Sequence, residues 1–180
     1  MIEGRLSRRY TRALFQLARE SGAEEEIGLE LGQFFSAYRG SDLEKVLINP
    51  AFAAVTRKEI LTQVIRSQQL SPLTNKFLSL LLARDRLMEL AGIVSCYRRL
   101  LNEAKGRVEA RVVSSAALDA SIVEQLRERL RGLARKEVLL QQETDPSLLG
   151  GLLVELEGKV YDGSIRSQLE KMKQRIARNQ

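Results

Sequence analysis

Histidine is absent from the 180 residues. That removes Cys/His zinc sites, Ser-His-Asp triads and Cys-His dyads, because each needs an imidazole. Cysteine occurs once, as Cys96, so no intramolecular disulfide can form and a reducing compartment is the simplest expectation. No apolar run approaches the ~20 residues that cross a bilayer; the best, Phe77 to Ala83, is broken by Ser79. The N-terminus lacks the apolar stretch of a signal peptide, and Ile2-Glu3-Gly4-Arg5 spells a protease-cleavage sequence on which nothing else depends. The phosphate-cradling Gly-x-x-x-x-Gly-Lys-Ser/Thr pattern is also missing, since Gly158-Lys159 is followed by Val160. These absences predict no catalytic residue, no cofactor and no metal site.

What is present is a chain with enough apolar residues, 44%, to build a core. Its net charge of +6 allows nucleic acid, an anionic surface or an acidic partner without choosing among them. Up to about residue 105 the apolar spacing is helical. Leu6, Tyr10, Ala13, Leu14 and Leu17 share one face of a first helix, and Gly22 stops it. Ile27, Leu31, Phe34, Phe35 and Tyr38 mark a second helix. Asp42 caps a short third that runs out before Asn49-Pro50. Thr56 and Glu59 form a capping-box pattern for the fourth, and Ser71-Pro72 opens the fifth. A sixth helix from Leu87 to Lys105 closes at Gly106. Six helices with short joints predict a bundle.

The period then changes. Val108, Ala110 and Val112 alternate with Arg107, Glu109 and Arg111 as in a strand. Ser121 and Glu124 cap a helix carrying Ile122, Leu126, Leu130 and Leu133. Val138 to Leu140, Leu152 to Leu156 and Val160-Tyr161 read as further strands. Ile165, Leu169, Met172 and Ile176 mark a last helix. Eight of the nine aromatic residues precede residue 106, so the two halves need different cores. The expected fold is mostly α: a six-helix bundle over 1–105, then a small α/β domain over 106–180.

Three features compete for a functional role. Glu24, Glu25 and Glu26 splay about 100° apart on a helix, so they read as a solvated first turn rather than as paired acid/base groups. Arg8, Arg9 and Arg12 on the outer side of the first helix could neutralise phosphates, but of the stacking aromatics that single strands favour only Phe15 is near. Phe15 lies about 180° from the Leu6, Tyr10, Leu17 stripe. In the fifth helix Leu73, Phe77, Leu80 and Leu81 form one face, while Leu78 and Leu82 extend round the other side. A helix apolar on most sides is either central or shared with a partner. Asp145-Pro146-Ser147-Leu148-Leu149-Gly150-Gly151 reads as scaffold, a turn feeding a tight glycine pair and a strand.

In order, Arg9-Tyr10-Thr11-Arg12-Ala13-Leu14-Phe15, Asn49-Pro50 with Lys58, Asn75-Lys76-Phe77-Leu78-Ser79-Leu80-Leu81, Arg86-Leu87, Val112 to Ala116, the Asp145 to Gly151 segment and Asp162-Gly163-Ser164-Ile165 cover nearly the whole chain. Together they resemble the family of the F-type ATP synthase delta subunit and the mitochondrial oligomycin-sensitivity-conferring protein. The resemblance implies a non-catalytic stator subunit of a proton-translocating enzyme, at the cytoplasmic face of a bacterial inner membrane and held there only through the complex. It implies that the N-terminal domain binds N-terminal segments of alpha subunits and that the C-terminal domain holds b subunits of the peripheral stalk. On that footing an alpha-subunit helix is expected in a groove between the first and fifth helices, with Phe15, Leu78 and Leu82 as its floor and Arg8 and Arg12 on its rim. A basic nucleic-acid-binding module is the alternative, told apart by a steep fall of affinity with salt.

Overall fold

The computed structural model describes residues 4–178, with side chains up to residue 173 apart from Lys171. Ile2 and Glu3 of the cleavage-like sequence lie outside the described residues, as does the side chain of Ile176. The chain divides into two compact units, Met1–Leu101 and Asn102–Gln180.

The first unit holds α1 (Arg5–Glu20), α2 (Glu24–Tyr38), α3 (Asp42–Ile48), α4 (Ala54–Ser67), α5 (Pro72–Ala83) and most of α6 (Leu90–Ala104), with a 3-10 turn, Leu87–Glu89, ahead of α6. The division falls inside α6, one turn before the change of sequence pattern at residue 105. From Asn102 onward the last turn belongs with the second unit, where the Asn102 side-chain amide donates to Glu109 Oε1 at 2.8 Å.

Several helix ends follow different rules from those the sequence suggests. Gly22, at φ +66°, ends α1 with its N–H on Arg19 O at 3.2 Å and the Ala23 N–H on Ala18 O at 2.9 Å. That is the paired bond pattern of a Schellman motif. The same motif ends α4 at Gln69 (φ 54°) and α5 at Asp85 (φ 52°), where no glycine marks it. Asp85 in exchange accepts a 2.8 Å hydrogen bond from Arg57 Nη1, whose guanidinium also reaches Leu47 O at 3.3 Å. Three expected caps are displaced. Helix α4 starts at Ala54 behind Ala53, α3 takes Ser41 as its cap and Asp42 as its first residue, and the helix that opens at Ala120 starts behind Asp119. None of these caps accepts a first-turn N–H through its side chain, Ser41 Oγ donating instead to Tyr38 O at 2.6 Å, and Thr56 and Ser121 fall inside first turns. Ser71 caps α5 as expected, its Oγ accepting from Thr74 N with Pro72 next in line.

The inward face of α1 differs from its apolar stripe. Ser7, Thr11, Leu14 and Ala18 are buried, whereas Leu6 and Leu17 are 36% and 51% exposed. Close approach to α6 explains the choice of small residues. A Cβ on Gly92 would stand 2.8 Å from Ser7 Oγ. Ser7 donates to Glu89 Oε2 at 2.6 Å, and Thr11 Oγ1 reaches Ser7 O at 2.7 Å and Ile93 O at 3.3 Å. Buried hydroxyls are thus satisfied within the contact. The rest of this core is Ile27, Leu31, Phe34, Leu61, Leu81, Ile93, Tyr97 and their neighbours.

In the second unit β1 (Arg107–Ser114), α7 (Ala120–Ala134), β2 (Glu137–Thr144), β3 (Leu152–Leu156), β4 (Lys159–Asp162) and α8 (Ile165–Arg178) follow one another. The sheet order is β2-β1-β3-β4. Strands β1 and β2 are parallel, joined through α7, and the other pairs are antiparallel. The register sets Val108 beside Val138 and Val112 beside Val154, so Val108, Ala110, Val112, Val138, Val154 and Leu156 form one buried face with Leu130 of α7. The other face carries ion pairs, Arg107 to Glu137 at 2.9 Å and Arg111 to Glu143 at 2.6 Å. The second strand is longer than Val138 to Leu140 because its pairing with β1 continues through Gln141, Gln142 and Glu143 to Thr144.

Candidate functional site

The residues expected to line a groove do not form one surface. Leu78 is 0% and Leu82 7% exposed, and both belong to the core of the first unit. The fifth helix buries Thr74, Phe77, Leu78, Leu81 and Leu82 and turns Leu80 outward at 44% exposure, so the expected inner and outer sides are partly exchanged. Phe15 is half-buried and meets Tyr97 edge to face, with ring centroids 5.4 Å apart. Arg8 and Arg12 are exposed. At about 100° per residue they lie on the flank of α1 that carries Phe15.

The opposite flank of α1 is apolar and uncovered. Leu6, Ala13 and Leu17 are exposed and Tyr10 is half-buried, at i, i+7, i+11 and i+4. Arg9 adjoins this stripe on the helical wheel. On α5, Leu80 is exposed and Leu73, two turns earlier, is half-buried, with exposed Lys76 between them. Tyr10 and Leu73 also pack against the core of the first unit, which leaves Leu6, Ala13 and Leu17 on α1 and Leu80 on α5 exposed. The sequence displayed the stripe; what it hid was that small residues of α1 take the inward place.

A second uncovered face lies in the second unit. Ile165, Leu169 and Met172 of α8, at i, i+4 and i+7, are between 45% and 58% exposed, and Val160 and Tyr161 of the edge strand β4 are open as well. The base of α8 is tightly built. Asp162 Oδ1 accepts from Ser164 N at 2.9 Å, and Ser164 Oγ accepts from Ser167 N at 3.2 Å. Gly163 N–H reaches Leu152 O at 2.9 Å and Ile165 N–H reaches Gly150 O at 3.0 Å. Gly151, at φ +81°, leaves no room for a side chain, since a Cβ there would stand 2.4 Å from Gly163 O. This explains the glycine pair as scaffold.

The perturbed acid–base groups belong to packing and to surface pairs. Burial pushes the Tyr38 phenol up to about 12, helped by Glu44, and burial raises Tyr97 further, helped by Glu24. The Arg111 guanidinium, hydrogen-bonded to Glu143, holds that carboxyl below its usual range. A pair of bonds from Ser147 does the same for Asp145. Among the described residues no cluster of three or more acidic, cysteine or histidine side chains could hold a metal ion, and no helix is long and apolar enough to cross a membrane.

Comparison with known proteins gives a consistent result. The family model for the ATP synthase delta (OSCP) subunit matches residues 6–176. ATP synthase subunit delta of Anaeromyxobacter dehalogenans strain 2CP-1 is 39% identical over 177 residues, 98% of this chain and 99% of the relative. The same subunit of Solidesulfovibrio magneticus is 38% identical over 97% of both chains, and that of Citrifermentans bemidjiense is 35% identical over 96% of both. Among solved structures, a chain of the Toxoplasma gondii mitochondrial ATP synthase superposes with a TM-score of 0.73 over 97% of this chain and 98% of its own, at 19% identity, which establishes likeness of fold.

Proposed function

The chain belongs to the ATP synthase delta (OSCP) subunit family, and from that premise we propose that its two uncovered apolar faces are its two points of attachment in the enzyme complex. As a member it is a non-catalytic stator subunit of the ATP synthase, part of the peripheral stalk. In the proposed arrangement α1 to α6 act as one six-helix bundle, spanning residues 1–105, that grips the catalytic head. The outer faces of α1 and α5 receive N-terminal segments of alpha subunits, and the 106–180 domain takes the b subunits. The complex holds the chain at the cytoplasmic face of the bacterial inner membrane.

The observation that carries this reading is the Leu6, Ala13, Leu17 stripe. An apolar stripe at helical spacing on a helix whose core side is already filled is what a docking amphipathic helix needs. Leu169 and its neighbours on α8 support the second contact in the same way. The relatives and the fold lend no support to the nucleic-acid alternative.

The test titrates the full chain with two synthetic peptides, one of the alpha N-terminal segment and one of the b C-terminal segment. Leu17→Asp should abolish the first binding and spare the second; Leu169→Asp should do the reverse. Equal affinities for wild type and both variants would refute the assignment.

A further inference from the structure

Helix α5 begins with a capping box that is completed from another helix. In the usual box the cap residue bonds the N–H of the third helical residue, and a glutamate at that third position reaches back to the cap's own N–H. Here Ser71 is the cap and the third position is Thr74, which cannot make the return bond, and α5 has no acidic residue in its first turn. Glu30 of α2 takes the missing place. Its Oε1 accepts the Ser71 N–H at 2.7 Å, and its Oε2 accepts the Ser71 hydroxyl at 2.7 Å together with the Thr74 hydroxyl. The carboxylate also sets a negative charge at the positive end of the α5 dipole.

We propose that Glu30 is a positioning residue for partner docking: it locks the first turn of α5, and through it the half-buried Leu73 and the exposed Lys76 and Leu80. This rests on the reading that the outer face of α5 receives an alpha-subunit segment. With an amide in its place the Ser71 N–H keeps one oxygen acceptor, but the NH2 group cannot accept from the Ser71 and Thr74 hydroxyls and the negative charge at the α5 N-terminus is gone, so the first turn loosens. Binding must then also order Leu73 and Lys76, and that ordering weakens the complex. The residue makes its contribution without touching the partner.

The test uses the full chain and a synthetic peptide of the alpha N-terminal segment, with Glu30→Gln, Leu80→Ala and the double variant. Ile27→Val, a core change one turn away on α2, serves as a control that lowers stability without touching the box. Glu30→Gln should weaken binding about fivefold, Ile27→Val should leave it within about twofold, and the Glu30→Gln loss should shrink in the Leu80→Ala background. An undiminished loss in that background, or none in the wild type while Leu80→Ala does weaken binding, overturns the role of Glu30 alone. If Leu17→Ala and Leu80→Ala both leave affinity unchanged, the docking reading falls and this inference with it.

Discussion

Phe15 of α1 and Tyr97 of α6 meet edge to face, their rings inclined by 68°, and the Tyr97 hydroxyl donates to Glu24 O of α2 at 3.0 Å. One aromatic contact and one hydrogen bond thereby tie three helices. Phe15 lies on the flank of α1 away from the exposed stripe, so its contribution is to the fold of the first unit.

That distinction separates two classes of substitution. Leu78→Ala should cost about 2–5 kcal/mol of stability, as a fully buried leucine does, and Phe15→Ala about 2 kcal/mol through the lost Tyr97 contact. Leu17→Ala should change stability by no more than about 0.5 kcal/mol while weakening the alpha peptide. Urea denaturation alongside peptide titration measures both, and a stable Leu78→Ala variant with impaired binding would contradict the placement.

Two glycines should respond with opposite signs. Gly151→Ala drives a methyl group into the Gly163 carbonyl at a positive φ, and should destabilise the second unit by about 3 kcal/mol or more. Gly132 lies within α7 with open space around it, so Gly132→Ala should stabilise the same unit by up to about 1 kcal/mol. Thermal melts of the two variants decide the matter, and a neutral Gly151→Ala would remove the scaffold role assigned to that turn.

Alkaline pH should weaken the first unit. The folded phenol of Tyr38 keeps its proton more tightly than the unfolded one, with a pKa of about 12 against 10.0. Its stabilising contribution is therefore complete below the unfolded value and lost as pH rises from 10.0 towards about 12. The Tyr38 hydroxyl is buried without a hydrogen-bond partner among the described residues. Tyr38→Phe should accordingly leave neutral-pH stability unchanged or raise it by about 1 kcal/mol, and flatten the alkaline loss. Melts of wild type and variant across that pH window give the comparison; identical profiles would count against it.

A fragment ending at residue 105 retains all of α6 and should fold as a helical protein with a cooperative melt of its own. Circular dichroism of this fragment is the check, and a random-coil spectrum would show that the first unit depends on the second.

Much of this structure is legible in the residues. Hydrophobic period locates the helices and strands, and Gly22, Gly106 and Ser71-Pro72 mark boundaries where they stand. The change of core near residue 105 is visible in the aromatic distribution. The facing of α1 was not, because a stripe of large apolar residues is the ordinary sign of a core face. Here Ser7 and Thr11 are inward because Gly92 draws α6 close enough to satisfy their hydroxyls, a long-range fit that no local pattern encodes. The ends of α4 and α5 escaped for a related reason. Gln69 and Asp85 adopt a conformation that usually announces itself with glycine, and Asp85 is held there by an arginine 28 residues away. The same exchange of faces governs α5, where Leu78 reads as surplus only if Leu80 points inward, and the structure buries Leu78 and exposes Leu80.

The turn around Gly151 has a mechanical consequence for a protein that must resist torque. Any pull applied to α8 is passed along the backbone to Asp162, the C-terminal end of the edge strand β4. The Gly163–Leu152 and Ile165–Gly150 bonds continue the β3–β4 pairing beyond that end, and the absent side chain at Gly151 lets the two backbones close. A pull must break this clasp before the first rung of β4 comes under load, and β3 behind it is held by neighbours on both sides.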